Sequence, residues 1–74
     1  MHSKELLSAV DHSSGKLEIY SSREGKELYC ICTKNGYTKQ FIYNSFSEFG
    51  ENEKQRRLEE VKQMIIKSEK LTFN

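Results

Sequence analysis

Four side chains in this sequence have the chemistry of metal ligands: His2, His12, Cys30 and Cys32. Zinc takes four such groups, commonly as two close pairs spaced Cys-x-x-Cys or His-x-x-x-His. Neither spacing occurs here; the cysteines form a Cys-x-Cys step. On a strand that step places both sulfurs on one face, about 6–7 Å apart. A disulfide needs Cα atoms about 5.5–6 Å apart with converging Cβ vectors, which same-face neighbours do not offer. A free cysteine commonly behaves as a small hydrophobe. The expectation is two reduced core thiols, two solvated histidines, no metal and no cofactor.

Catalytic constellations are no better supplied. Nucleophilic catalysis needs a Ser or Cys held against an oriented base, yet the one aspartate, Asp11, is the chain neighbour of His12. Glu59 and Glu60 are consecutive in a helical stretch and point about 100° apart, so they do not act as a pair. Gly15, Gly25, Gly36 and Gly50 are scattered, each as a turn or cap residue, and build no phosphate-cradling loop. The chain is expected not to be an enzyme.

The elements that position these residues start from Asn35-Gly36, both suited to positive φ and diagnostic of a two-residue type I′ hairpin. This turn pairs Lys34 with Tyr37, Cys32 with Lys39, Cys30 with Phe41 and Leu28 with Tyr43. A second turn at Glu24-Gly25 pairs Arg23 with Lys26, and so Ile19 with Cys30 and Leu17 with Cys32. Cross-strand partners share a face. Both hairpins therefore put Leu17, Ile19, Leu28, Cys30, Cys32, Phe41 and Tyr43 on one side of a three-stranded meander running from about Lys16 to Asn44.

Ser3 to Val10 reads as a short helix capped by Ser3, with Leu6, Leu7 and Val10 as its apolar side. Asp11 to Gly15 is a loop by composition. Phe46 and Phe49 in the connector are too apolar for solvent. From Asn52 to about Lys70 the pattern is helical, with Asn52 and Gln55 as a capping-box variant. Leu58, Val61, Met64, Ile65 and Leu71 share one stripe, and Ile66 lies off it. The fold class expected is α+β in the order α-β-β-β-α: a three-stranded antiparallel meander packed against a long C-terminal helix, with a short N-terminal helix.

At 74 residues the chain makes a single small domain, 1–74, near the lower size at which one core holds. The net charge is +1, and the balance is local, since residues 51–74 carry six basic and five acidic groups. Binding through non-specific phosphate contacts goes with a basic excess; an acidic mimic of nucleic acid would show the reverse. No signal peptide is recognisable, and the longest apolar run, Met64-Ile65-Ile66, is far short of a membrane span. A cytoplasmic location and no membrane partner are expected.

The second sheet face carries the functional clue. The same register places Glu18, Tyr20, Tyr29, Ile31, Thr33, Thr38, Gln40, Ile42 and Asn44 there. Two tyrosines and two isoleucines are too much apolar surface for an idle face. Either the N-terminal helix covers them, or Tyr20, Tyr29, Ile31 and Ile42 bind a protein partner or a second copy of the chain.

A three-stranded sheet followed by one helix, over residues 16–70, resembles in layout the arm-binding domains of tyrosine recombinases and plant AP2-type domains. The likeness is of element order and includes no motif. It implies a sheet docked on DNA, with contacts from Arg23, Lys26, Lys34 and Lys39 and with Tyr20 and Tyr29 between them. Glu18, Glu24 and Glu27 sit among these bases and cancel their field. The reading is a small non-enzymatic binding module acting through protein–protein contact, of the accessory, regulatory or inhibitory type found in phages and mobile elements. Nucleic-acid binding through the sheet face is the alternative.

Overall fold

The computed structural model describes residues 4–22, 24–44, 46 and 49–73. Four strands follow one another: β1 (Glu5–His12), β2 (Gly15–Ser21), β3 (Leu28–Lys34) and β4 (Tyr37–Tyr43). The helix α1 (Glu51–Glu69) comes next. The strands form one antiparallel sheet in the order β1-β2-β3-β4, and α1 packs on one of its faces. Cα atoms span 33 × 29 × 16 Å, the thin dimension being that of one sheet and one helix.

The register of β2, β3 and β4 is that of the two hairpins: Leu17 stands opposite Cys32, Ile19 opposite Cys30, and Cys30 opposite Phe41. Asn35 and Gly36 both have positive φ, 51° and 84°, as a type I′ turn requires. Between β2 and β3 the chain keeps the expected register through a longer loop. There the Ser22 N–H donates to the Glu27 carbonyl, and the Ser22 hydroxyl accepts from the N–H groups of Lys26 and Glu27.

The expected N-terminal helix is instead a fourth strand. Val10 stands opposite Leu17 and His12 opposite Gly15 across the Ser13-Ser14 turn, so Asp11, His12 and Gly15 belong to strands rather than to a loop. A β-bulge at Leu7 separates the pairs Leu6–Tyr20 and Ser8–Ile19. The bulge shifts the side-chain alternation by one residue and conceals the period of two. A two-turn helix would have to dock to survive, whereas a strand gains a ladder of hydrogen bonds along β2. Ser3, the expected cap, and His2 lie outside the described residues.

His12 is not solvated. It is 3% exposed, on the helix side of the sheet, and the C-terminal segment closes over it. Phe73 bridges to His12 and sets its ring edge-on at 6.4 Å, while the Ser13 N–H donates to the Thr72 carbonyl. His12 Nδ1 accepts from the Ser14 N–H, and its buried Nε2 has no partner among the described residues. Gly15 is required beside it, because a Cβ there would meet the Thr33 carbonyl oxygen at 1.9 Å.

The core consists of Leu17, Ile19, Leu28, Cys30 and Cys32 from the sheet, Val61 and Ile65 from α1, and Phe46 and Leu71. Each large aliphatic side chain contributes about 1.5–3 kcal/mol by leaving water. Phe41 and Leu58 pack against this cluster from its partly buried margin. Helix α1 begins one residue earlier than expected, with Gly50 as its N-cap and no side-chain cap from Asn52. It ends in a left-handed residue, Lys70 (φ 54°), after which the Leu71 N–H donates to the Ile66 carbonyl at 3.0 Å. This C-terminal motif folds Leu71 back into the core from outside the helix. With Leu71 outside the helix, the apolar stripe turns away from Met64, which is half exposed, and Ile66 packs on the core.

Candidate functional site

The sheet face opposite α1 is uncovered among the described residues. Because β1 joins the sheet at its side, no described element lies across this face. Leu6 therefore joins the surface rather than shielding it.

The register aligns one residue from each strand into a transverse row. Leu6 stands opposite Tyr20, Tyr20 opposite Tyr29, and Tyr29 opposite Ile42. Three interstrand steps give this row a span of about 14 Å. The next row is Ala9, Glu18, Ile31 and Gln40, and the one beyond it is Asp11, Lys16, Thr33 and Thr38. The face thus grades from aromatic and aliphatic at one end to polar at the other. Leu6 is 52% and Ile42 54% exposed, and Tyr20, Tyr29 and Ile31 are half-buried by their neighbours.

Carboxylates fix the two phenols. Tyr20 Oη donates to Glu18 at 2.7 Å, and Tyr29 Oη donates to Glu27 at 3.4 Å. The hydrogen bond to Glu18 holds the Tyr20 phenol above its ordinary pKa, with smaller contributions from desolvation and from the carboxylate charge. Lys4 Nζ sits 4.3 Å from the centroid of the Tyr29 ring, a cation–π contact on the open side. The aromatic pair is held in place and rimmed by charges of both signs.

Tyr20, Tyr29, Ile31 and Ile42, the residues singled out in the sequence, all lie on this one face. Of the basic residues of the nucleic-acid alternative, the three that are described, Lys26, Lys34 and Lys39, do not join them. Lys34 and Lys39 lie on the α1 side of the sheet. Lys34 Nζ donates to the Glu69 carbonyl at 2.6 Å, and Lys39 Nζ pairs with the Glu69 carboxylate at 3.2 Å. Lys26, in the β2–β3 loop, pairs with Glu24 at 2.9 Å. Arg23 lies outside the described residues. Leu6 and Lys4 are the surface residues that sequence reasoning missed, since a helical assignment removed them from the face. The signal for them was the pairing of Val10 with Leu17 across a Ser13-Ser14 turn.

Elsewhere, a cleft of about 300 Å³ is lined by Cys32, Lys34, Asn35, Tyr37, Lys39 and Glu69. Glu69 engages both lysines there, Lys34 through its carbonyl and Lys39 through its carboxylate, and the helix C-terminus adds negative character. Among the described residues, no group of three or more His, Cys, Asp or Glu side chains stands close enough to hold a metal ion. No described helix is long and apolar enough to cross a membrane. The chain has no significant match among protein-family models, curated proteins or solved structures.

Proposed function

We propose that this chain is a small, non-enzymatic binding module that engages a protein partner through its open sheet face. The row Leu6–Tyr20–Tyr29–Ile42, continuous across all four strands and crossed by no described element, is the observation that carries this reading. Tyrosine supplies large contact area with few rotors to immobilise, and it is enriched where protein surfaces meet. The charged brim of Lys4, Glu18 and Glu27 supplies orientation rather than a field of one sign. An accessory, regulatory or inhibitory role fits a domain that offers a surface and little else. Two free, buried thiols suit a reducing compartment, so a cytoplasmic setting belongs to the same proposal.

The test is the double variant Tyr29→Ser/Ile31→Thr, used beside the wild type to capture a partner from the native host for mass spectrometry. The variant should lose the partner while its stability stays within about 1 kcal/mol, as is typical of surface changes. Undiminished capture by the variant would remove the open face from consideration.

A further inference from the structure

The two edges of the sheet are treated differently. Strand β1 is blunted twice: its ladder is interrupted by the bulge at Leu7, and Phe73 bridges to His12 at its far end. Bulges and covering segments are how natural sheets prevent edge-to-edge association. Strand β4 has neither device. It pairs with β3 along all seven residues without a register shift, contains no proline, and among the described residues no segment hydrogen-bonds to the backbone of its outer edge.

From this asymmetry we propose that the protein is a two-fold dimer in which β4 pairs antiparallel with β4 of a second copy, centred on Gln40. The proposal rests on the edge and is independent of the open-face reading. Lys34 and Tyr37 flank a two-residue turn, so these two exchange hydrogen bonds. Antiparallel alternation then directs the N–H and C=O groups of Thr38, Gln40 and Ile42 outward. A two-fold axis at Gln40 sets Gln40 against its own copy and Thr38 against Ile42 of the other. Those pairs use all the outward groups, in about six backbone hydrogen bonds.

The side chains agree with this register. On the helix side, Tyr37, which is 80% exposed, meets Tyr43 of the second copy, and Lys39 meets Phe41. No like charges face each other. An axis at Lys39 would set that lysine against itself, which is unfavourable. An axis at Phe41 would run Tyr37 past the end of the strand. The product is a continuous eight-stranded sheet with both helices on one side and both open faces on the other.

Sedimentation equilibrium on the full chain, from micromolar to near-millimolar concentration, tests the assembly. The wild type should approach twice the chain mass. Gln40→Pro, which removes an outward N–H and spares the bonds to β3, should be a folded monomer. Register is read from two cysteine variants under mild oxidation. Gln40→Cys should form a covalent dimer, and Thr38→Cys should not, because its two copies lie about 14 Å apart in this register. These cysteines carry the test alone if Gln40→Pro does not fold. A wild type that stays monomeric, a dimer that survives in folded Gln40→Pro, or equal cross-linking by both cysteines would overturn the proposal. A dimer lost in Tyr29→Ser/Ile31→Thr but retained in Gln40→Pro would move the contact to the open face.

Discussion

Lys34 ties the β3–β4 hairpin to the end of the helix through Glu69, donating from Nζ to the Glu69 carbonyl at 2.6 Å. The last helical carbonyls have no partner within the helix, and the macrodipole there favours a cation. Lys39 adds a bond to the carboxylate of the same residue, but from a mostly exposed position. Replacing Lys34 with Ala should cost about 1 kcal/mol, and Lys39→Ala less than about 0.5 kcal/mol. Urea denaturation of the two variants measures this order. Equal losses would mean that the carbonyl bond secures the helix end no better than the carboxylate pair.

Burial ranks the core substitutions. Leu28 is fully buried between the sheet and α1, whereas Phe41 is only partly covered at the β4 margin. Leu28→Ala should cost about 3 kcal/mol or more, and Phe41→Ala about half of what a fully buried phenylalanine loses. In a domain of this size the first variant is close to unfolding at room temperature. Thermal melts followed by circular dichroism test the ranking, and a Phe41 variant less stable than the Leu28 variant would contradict it.

The two thiols give a pH signature. Burial pushes Cys30 from its ordinary value near 9 up to about 11. Cys32 is also raised, first by burial and then by the charge of Glu69. The folded chain therefore keeps a proton that the unfolded chain surrenders. The associated stability is complete below about pH 9 and declines as pH rises toward 11. The wild type should lose stability more steeply over that interval than Cys30→Val, in which one of the two titrating thiols is gone. Parallel slopes would show that Cys30 does not titrate with unfolding.

Particular residues show how far the fold was legible in the sequence. Asn35-Gly36 determined the β3–β4 register, and the alternation of Leu17, Ile19, Leu28, Cys30 and Cys32 carried it into β2. Hence Tyr20, Tyr29, Ile31 and Ile42 were grouped correctly on one face. Strand β1 was hidden by its own chemistry. Lys4, Glu5, Leu6, Leu7 and Ala9 are good helix formers, Leu7 interrupts the alternation, and the helix-side positions Ser8 and His12 are polar. A docking helix of Leu6, Leu7 and Val10 is also one of the two readings the sequence leaves for the second face, and the strand β1 removes it.

Nucleic acid provides the final test of how the surface is divided. A DNA-binding sheet face should carry phosphate contacts beside its stacking aromatics, and affinity should then fall steeply between about 50 and 200 mM salt. Here Lys34 and Lys39 are held by Glu69 on the helix side, while Tyr20 and Tyr29 direct their hydroxyls to Glu18 and Glu27 on the open side. Among the described residues, Lys4 and Lys16 share the open face with Asp11 and Glu18. These basic groups stand beside carboxylates, which weakens the field that attracts a polyanion. Fluorescence anisotropy with labelled single- and double-stranded DNA should therefore show no binding above background even at low salt. Salt-sensitive binding that disappears in the double variant Lys34→Glu/Lys39→Glu would transfer the functional surface to the helix side. Binding that disappears in Tyr29→Ser/Ile31→Thr would keep the open face and change the class of its partner.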